Sequence, residues 1–303
     1  MNFVTFIKNE LSKVGIMSKD LQQVIDLKAA QNGLLEKNTI PLTMLEFLKK
    51  GEEILEDVNE VIDILQKESI LEYQYNLKDV KVCAPIPRPA KNVFCVGKNY
   101  AEHAIEMGSV ADIPEHPMIF SKTPTTVIGN KEVVLNHRKI TKCLDYEGEL
   151  VVIIGKEGKD IQQDDAFEYV FGYTILNDIT ARDRQKRHKQ FLLGKSLDTS
   201  CPMGPYIVHK SAVPNPGNLN IETKVNGEVR QLANTELFIF DIPTIISVIS
   251  AGTTLEPGDI IATGTPAGVG KGFNPPRYLQ PGDTVEVSIE GLGTLRSYIE
   301  RVK

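Results

Sequence analysis

The 303-residue sequence predicts an α+β fold that is mainly β, with a small N-terminal domain over residues 1–84 and a larger β-rich domain over 91–303. Three observations carry this. Short β-branched runs separated by turn residues dominate the chain after residue 91. Before it lie helical patterns with an apolar stripe. Between the two, Pro85, Pro87 and Pro89 cannot continue a helix and mark the best linker.

Taken in order, residues 20–30 form a first helical pattern. A stronger one begins at Thr43, where Thr43-Met44-Leu45-Glu46 has the form of a capping box, and Ile54, Val58, Val61 and Leu65 then recur on one helical face. Met44, Leu48 and Leu65 read as core. Val93-Phe94-Cys95-Val96-Gly97 is an apolar strand, followed by a short helix over 99–107. A strand over 169–176 ends at Asn177-Asp178, with a helix after it carrying Arg182 and Gln185. Asn226-Gly227 between Lys224-Val225 and Glu228-Val229 signals a two-residue hairpin. Asp241-Ile242-Pro243 starts a helix that ends near Gly252, proline suiting its first turn. Pro257-Gly258-Asp259 and Pro281-Gly282-Asp283 are turns that launch the strands at Ile260 and Thr284.

A formal charge of −6 and a pI near 5.5 argue against nucleic acid or an anionic membrane as the main partner. The basic run Arg182, Arg184, Lys186, Arg187, His188 and Lys189, broken by Asp183, suits a solvated helix face or an inlet for an anionic substrate. Cys83, Cys95, Cys143 and Cys201 have neither metal-ligand nor disulfide spacing, which suits small hydrophobes in a reducing compartment. With no signal-peptide pattern and no apolar run approaching a membrane span, a cytoplasmic protein is expected.

Asp145, Glu147 and Glu149 alternate in Leu144-Asp145-Tyr146-Glu147-Gly148-Glu149-Leu150, just before the β-branched run at Val151, so a strand would put all three on one face. Such a face is either fully solvated or neutralised by a cation. Carboxylate oxygens with no nearby Cys or His favour Mg²⁺ or Mn²⁺ over Zn²⁺. Asp178, at a strand end, is placed to be held rigidly, although capping the next helix would also explain it. Arg182 and Gln185, three apart, share a helix face and could reach one ligand. His103 and Glu106 have the same spacing, so the carboxylate could orient the imidazole as a general base; an exposed surface pair is the plainer alternative. Lys195 and Thr265 sit beside glycines that permit close backbone approach to a ligand. Around Gly270-Lys271 both the phosphate-loop and the dinucleotide patterns fail.

Five segments together, in this order, resemble the fumarylacetoacetate hydrolase family over about residues 91–300: Gly97-Lys98-Asn99-Tyr100-Ala101-Glu102-His103; Leu144 to Leu150; Asn177-Asp178-Ile179-Thr180-Ala181-Arg182-Asp183; Gly194-Lys195-Ser196-Leu197-Asp198-Thr199; and Thr263-Gly264-Thr265-Pro266-Ala267-Gly268-Val269-Gly270. The resemblance implies a mixed β-sandwich roll, assembled as a homodimer, and a divalent metal, commonly Mg²⁺ and sometimes Mn²⁺ or Ca²⁺, on Glu147, Glu149 and Asp178, with Asp145 supporting. It implies catalytic roles for His103, Glu106 and Lys195, the first two on a segment that closes as a lid. Arg182, Gln185 and Thr265 fall where substrate contacts are expected. Gly148 stands where many members carry an aliphatic residue, which is expected to loosen the strand slightly. The N-terminal residues look like the short α+β domain of bacterial members, not the extra domain of the larger fumarylacetoacetase.

The function expected from this resemblance is metal-dependent C–C cleavage of a small anionic 2-oxo acid through a metal-stabilised enolate, as oxaloacetate decarboxylation or acylpyruvate hydrolysis. A 2-hydroxymuconate-type isomerase or decarboxylase would use the same intermediate. An interaction protein with a vestigial metal site is the alternative of another class, and the intact residue set argues against it.

Overall fold

The computed structural model describes residues 1–302. A twelve-stranded sheet forms the body. From one edge it runs through Gln74–Asn76, Gln23–Asp26, Leu11–Met17 and Asn2–Lys8, then Cys201–His209, Val170–Asn177, Gly148–Ile154, Ile260–Ala262, Val93–Gly97 and Met118–Lys122, with two short strands pairing off this path. Asn2 pairs with Val208 and Phe3 with Ile207, so the N-terminal strands share a sheet with the rest of the chain. A second sheet of five strands, Glu228–Asn234, Asn220–Val225, Thr284–Ile289, Gly293–Ile299 and Val133–Val134, is mixed. The architecture is α+β and mainly sheet, as expected.

Gly148–Ile154 is the central strand, and all seven of its residues are buried. Its alternation divides the core. Leu150, Val152 and Ile154 pack with Ile221, Val287 and Leu295 of the second sheet, whereas Val151 and Ile153 join the cluster that holds Phe47, Val58 and Val61 of the N-terminal helices. At the start of this strand a Cβ on Gly148 would lie 2.3 Å from Thr223 Oγ1 and 2.8 Å from Val287 Cγ1. The glycine therefore lets the second sheet close on the strand, where an aliphatic side chain would clash.

Several local expectations hold. Thr43 caps the helix Met44–Lys49, its Oγ1 accepting from Glu46 N–H and bonding Glu46 Oε2 at 2.8 Å. Ile54, Val58, Val61 and Leu65 of Ile54–Lys67 are all buried. Asn226 and Gly227, with φ of 53° and 82°, close the predicted hairpin. Asp241 caps Ile242–Ser250 by accepting from Thr244 N–H at 2.9 Å.

Others are corrected. Residues 20–30 do not form one helix: Gln23–Asp26 is a strand paired to Gly15–Met17, and Asp26 then caps Leu27–Leu35 by accepting from Ala29 N–H. Cross-strand pairing of Val24 and Ile25 overrides the helical spacing there. The proline segment bends at residues 85–88 and packs against the body of the protein. Ile86 is fully buried, and Thr5 Oγ1 donates to Pro85 O at 2.6 Å. Among the described residues no helix is long and apolar enough to cross a membrane.

Candidate active site

Adjacent strand ends bring the acidic residues together. Gly148 pairs with Asn177, so Glu147 at the entry to one strand meets Asp178 at the exit of its neighbour. Asp178 N–H donates to Glu147 O at 2.8 Å, and Glu147 N–H donates to Asn177 Oδ1 at 3.0 Å, which locks the two backbones. Carboxylate oxygens of Glu147, Glu149 and Asp178 all lie within 4.8 Å of one another, and all three residues are buried. Asp178 therefore faces the cluster and caps no helix: the following helix, Arg182–His188, has no side-chain cap.

Asp145 does not share their face. The strand breaks after the short ladder Leu144–Asp145, and Asp145 turns to accept from Arg182 Nε at 2.8 Å, Gly270 N–H at 2.7 Å and Lys271 N–H at 3.0 Å. Arg182 also reaches Glu147 Oε1 at 2.7 Å, so it spans the two acids. The simple alternation of three carboxylates is thus corrected by a backbone break at Tyr146.

Cations compensate the cluster unevenly. Lys195 Nζ donates to Glu147 Oε2 at 2.5 Å and Asp178 Oδ2 at 2.6 Å. Lys122, fully buried, donates to Ile179 O at 3.1 Å and lies 2.8 Å from Asp178 Oδ1. Burial opposes charge on Lys195, yet Asp178 and Glu147 outweigh it and hold the ammonium above its ordinary pKa. Glu147 is likewise destabilised by burial, but Lys195 and Arg182 pull its pKa well below the carboxylate range. Glu149 has no such partner. It accepts one bond, from Gly264 N–H at 2.9 Å, and burial, Asp178 and Glu147 push its pKa well up. A buried all-oxygen donor set with one under-compensated carboxylate fits a hard divalent cation.

Beside the cluster stands the helix Ala101–Met107. His103 Nδ1 lies 3.2 Å from Glu106 Oε2, and Glu106 Oε1 accepts from Gly268 N–H at 2.9 Å. One carboxylate therefore orients the imidazole and ties this helix to the loop that follows Ile260–Ala262. His103 is buried, so the expected pair is no exposed surface feature. A cavity of about 400 Å³ brings the predicted residues together: His103, Glu147, Glu149, Arg182, Gln185, Lys195 and Thr265 all line it. Thr265 Oγ1 is engaged within the protein, donating to Gly148 O at 3.0 Å and accepting from Gln231 Nε2 at 2.7 Å.

Lys122 and Lys271 stand outside the candidate site residues read from sequence. A lysine closing the strand that opens with the apolar residues Met118-Ile119-Phe120 was a weak signal for Lys122. Lys186 and Lys189 belong to the basic run; both are exposed, and both line the cavity.

A β fold that closes a carboxylate cluster, an imidazole and a ring of ammonium groups around one cavity defines an enzyme site. The chain belongs to the fumarylacetoacetate hydrolase family: residues 92–300 match the family described as "Fumarylacetoacetate (FAA) hydrolase C-terminal". It is 52% identical over 288 residues, 94% of this chain and 95% of the other, to "Oxaloacetate tautomerase YisK" of Bacillus subtilis (strain 168). Among solved structures it is similar to "Fumarylacetoacetate hydrolase (EaFAH)" from psychrophilic Exiguobacterium antarcticum, at TM-score 0.83 and 40% identity with both chains fully covered. The 2-hydroxyhepta-2,4-diene-1,7-dioate isomerase from Mycobacterium marinum is similar at TM-score 0.73 and 31% identity, covering 99% of this chain and 98% of that one. The chain is thus an enzyme of this family.

Proposed function

We propose that the enzyme forms the enolate of a small anionic 2-oxo acid and that its reaction is the keto–enol interconversion of oxaloacetate. The observation that carries this is the placing of the Glu106-oriented imidazole and the buried carboxylate cluster on one cation-lined cavity. The similarity to the Bacillus tautomerase supports the substrate.

Glu147, Glu149 and Asp178 would hold the divalent cation, Mg²⁺ or, with the same oxygen donors, Mn²⁺ or Ca²⁺. Bound there, it would serve as a Lewis acid that lowers the cost of negative charge on the carboxylate and keto oxygens of a 2-oxo acid. Lys195 adds a fixed ammonium on the same side, already oriented by two of the carboxylates. Glu106 favours the His103 tautomer with its proton on Nδ1, which leaves Nε2 to take a proton from C3 of the substrate. Arg182 and Gln185, 3.4 Å apart, present polar groups to the rest of the molecule.

The same residues suit a second reading, in which loss of CO₂ from oxaloacetate or attack of water on an acylpyruvate generates the anion. The family's mixture of isomerases and hydrolases supports keeping both. Recording enol absorbance and pyruvate formation separately, with oxaloacetate and acetylpyruvate at fixed free Mg²⁺, tests the choice. Tautomerisation predicts rapid enol loss without matching pyruvate; pyruvate formed in step with enol loss would favour cleavage.

A further inference from the structure

Six cationic side chains line the cavity, Lys98, Arg182, Lys186, Lys189, Lys195 and Lys271, against the carboxylates of Glu147 and Glu149. Their commitments differ. Lys195 and Arg182 are held by the acidic cluster, and Lys98 pairs with Asp112 at 3.0 Å. Among the described residues Lys186, Lys189 and Lys271 make no ion pair.

Of these three, Lys271 has the firmest base. It sits in the turn Gly270–Gly272, whose Gly270 and Lys271 N–H groups both donate to Asp145, the carboxylate that also holds Arg182 Nε. Gly272 packs directly on Glu106, where an added Cβ would fall 2.0 Å from Oε1. The Lys271 backbone is therefore fixed between the arginine and the His103 helix. Lys271 is exposed as a residue and shares the lining of the cavity with Arg182 and Lys186; desolvation, and then the charges of those two, hold its ammonium below the ordinary pKa. Such a group gains most from a ligand anion.

We propose that Lys271, together with Lys186, seats the distal carboxylate of a dicarboxylate and so selects 2-oxo diacids over 2-oxo monoacids. This rests on the functional reading only in placing the first carboxylate and its neighbouring oxygen at the Glu147, Glu149 and Asp178 end. A monoacid bound there leaves Lys186, Lys189 and Lys271 without a counter-charge; a diacid supplies it.

Malate and 2-hydroxybutyrate are suitable probes because they differ only in a distal carboxylate against a methyl group, and neither can enolise. Calorimetric titration at fixed free Mg²⁺ should show the wild type binding malate about tenfold tighter, as one charge-assisted contact implies. Lys271→Met should weaken malate about tenfold and 2-hydroxybutyrate by less than about twofold, and Lys271→Arg should keep the preference. No preference in the wild type, an unchanged ratio in Lys271→Met, or equal weakening of both ligands would overturn the proposal. Oxaloacetate turnover by the same wild-type preparation separates the two claims. A Lys271-dependent malate preference without turnover upholds the seat and removes the functional reading, and turnover without the preference does the reverse.

Discussion

Lys195 Nζ bridges Glu147 Oε2 and Asp178 Oδ2, at 2.5 and 2.6 Å, with a fully buried ammonium. Removing one member of a buried ionic network leaves the others uncompensated. Lys195→Met should therefore cost about 3 kcal/mol of stability in chelator, and less when Mg²⁺ supplies the missing positive charge. Denaturant midpoints with and without Mg²⁺ check this. A loss that is the same in both conditions would show that ammonium and metal do not act on the same carboxylates.

Glu149 predicts a pH dependence of opposite sign to that of an ordinary ion-paired carboxylate. Its native pKa is pushed up by burial, Asp178 and Glu147, so the unfolded state loses this proton first as pH rises above the usual carboxylate range of about 4.5. The native state then binds more protons, and this group's contribution to stability falls until pH passes its native pKa. Without metal, Glu149→Gln should be more stable than the wild type near about pH 8, with the gap closing toward about pH 5. Mg²⁺ should reverse the order, because the wild type alone keeps the full donor set. Thermal melts over this range provide the measurement, and a gap independent of pH would contradict it.

Much of this site was legible because its chemistry lies in residue type and local spacing. His103 with Glu106 sits within one helical turn, and Glu147 and Glu149 are two positions apart at the start of one strand, where periodicity states which side chains are neighbours. Asp178 could be placed at a strand end, but its approach to Glu147 depends on the register of Gly148 against Asn177, which is a long-range property. Lys122 and Lys271 were harder to read because each enters the site through tertiary packing: Lys122 carried only the weak signal of a lysine ending an apolar strand, and Lys271 lies just past the motif that ends at Gly270. Likewise Asp26 looked helical until Gly15–Met17 was available to pair with the strand it ends.

His103→Ala should lower kcat for oxaloacetate tautomerisation by about 10²- to 10⁴-fold with little change in KM, since the imidazole is assigned to proton transfer and not to holding the substrate. Steady-state kinetics on enol loss provide the split. A rise in KM at constant kcat would instead assign His103 to binding.

Gly148→Ala should be strongly disfavoured. Its Cβ would fall 2.3 Å from Thr223 Oγ1, between two packed sheets, and overpacking of this kind costs about 1–3 kcal/mol. Urea unfolding with an unchanged slope and a lower midpoint is the expected result. An unaltered midpoint would mean that the second sheet yields freely at this point.

The central claim is a proton transfer at C3 of a 2-oxo diacid by His103, and it is tested most directly by isotope placement. Oxaloacetate enol would be ketonised in D₂O with enzyme and Mg²⁺, trapped at once as malate by malate dehydrogenase and NADH, and the C3 deuterium located by NMR. Proton transfer by a fixed imidazole predicts deuterium delivered to one face of C3 at a rate set by enzyme concentration, lost in His103→Ala and Glu149→Gln. Deuterium on both faces equally, at the rate seen without enzyme, would contradict it.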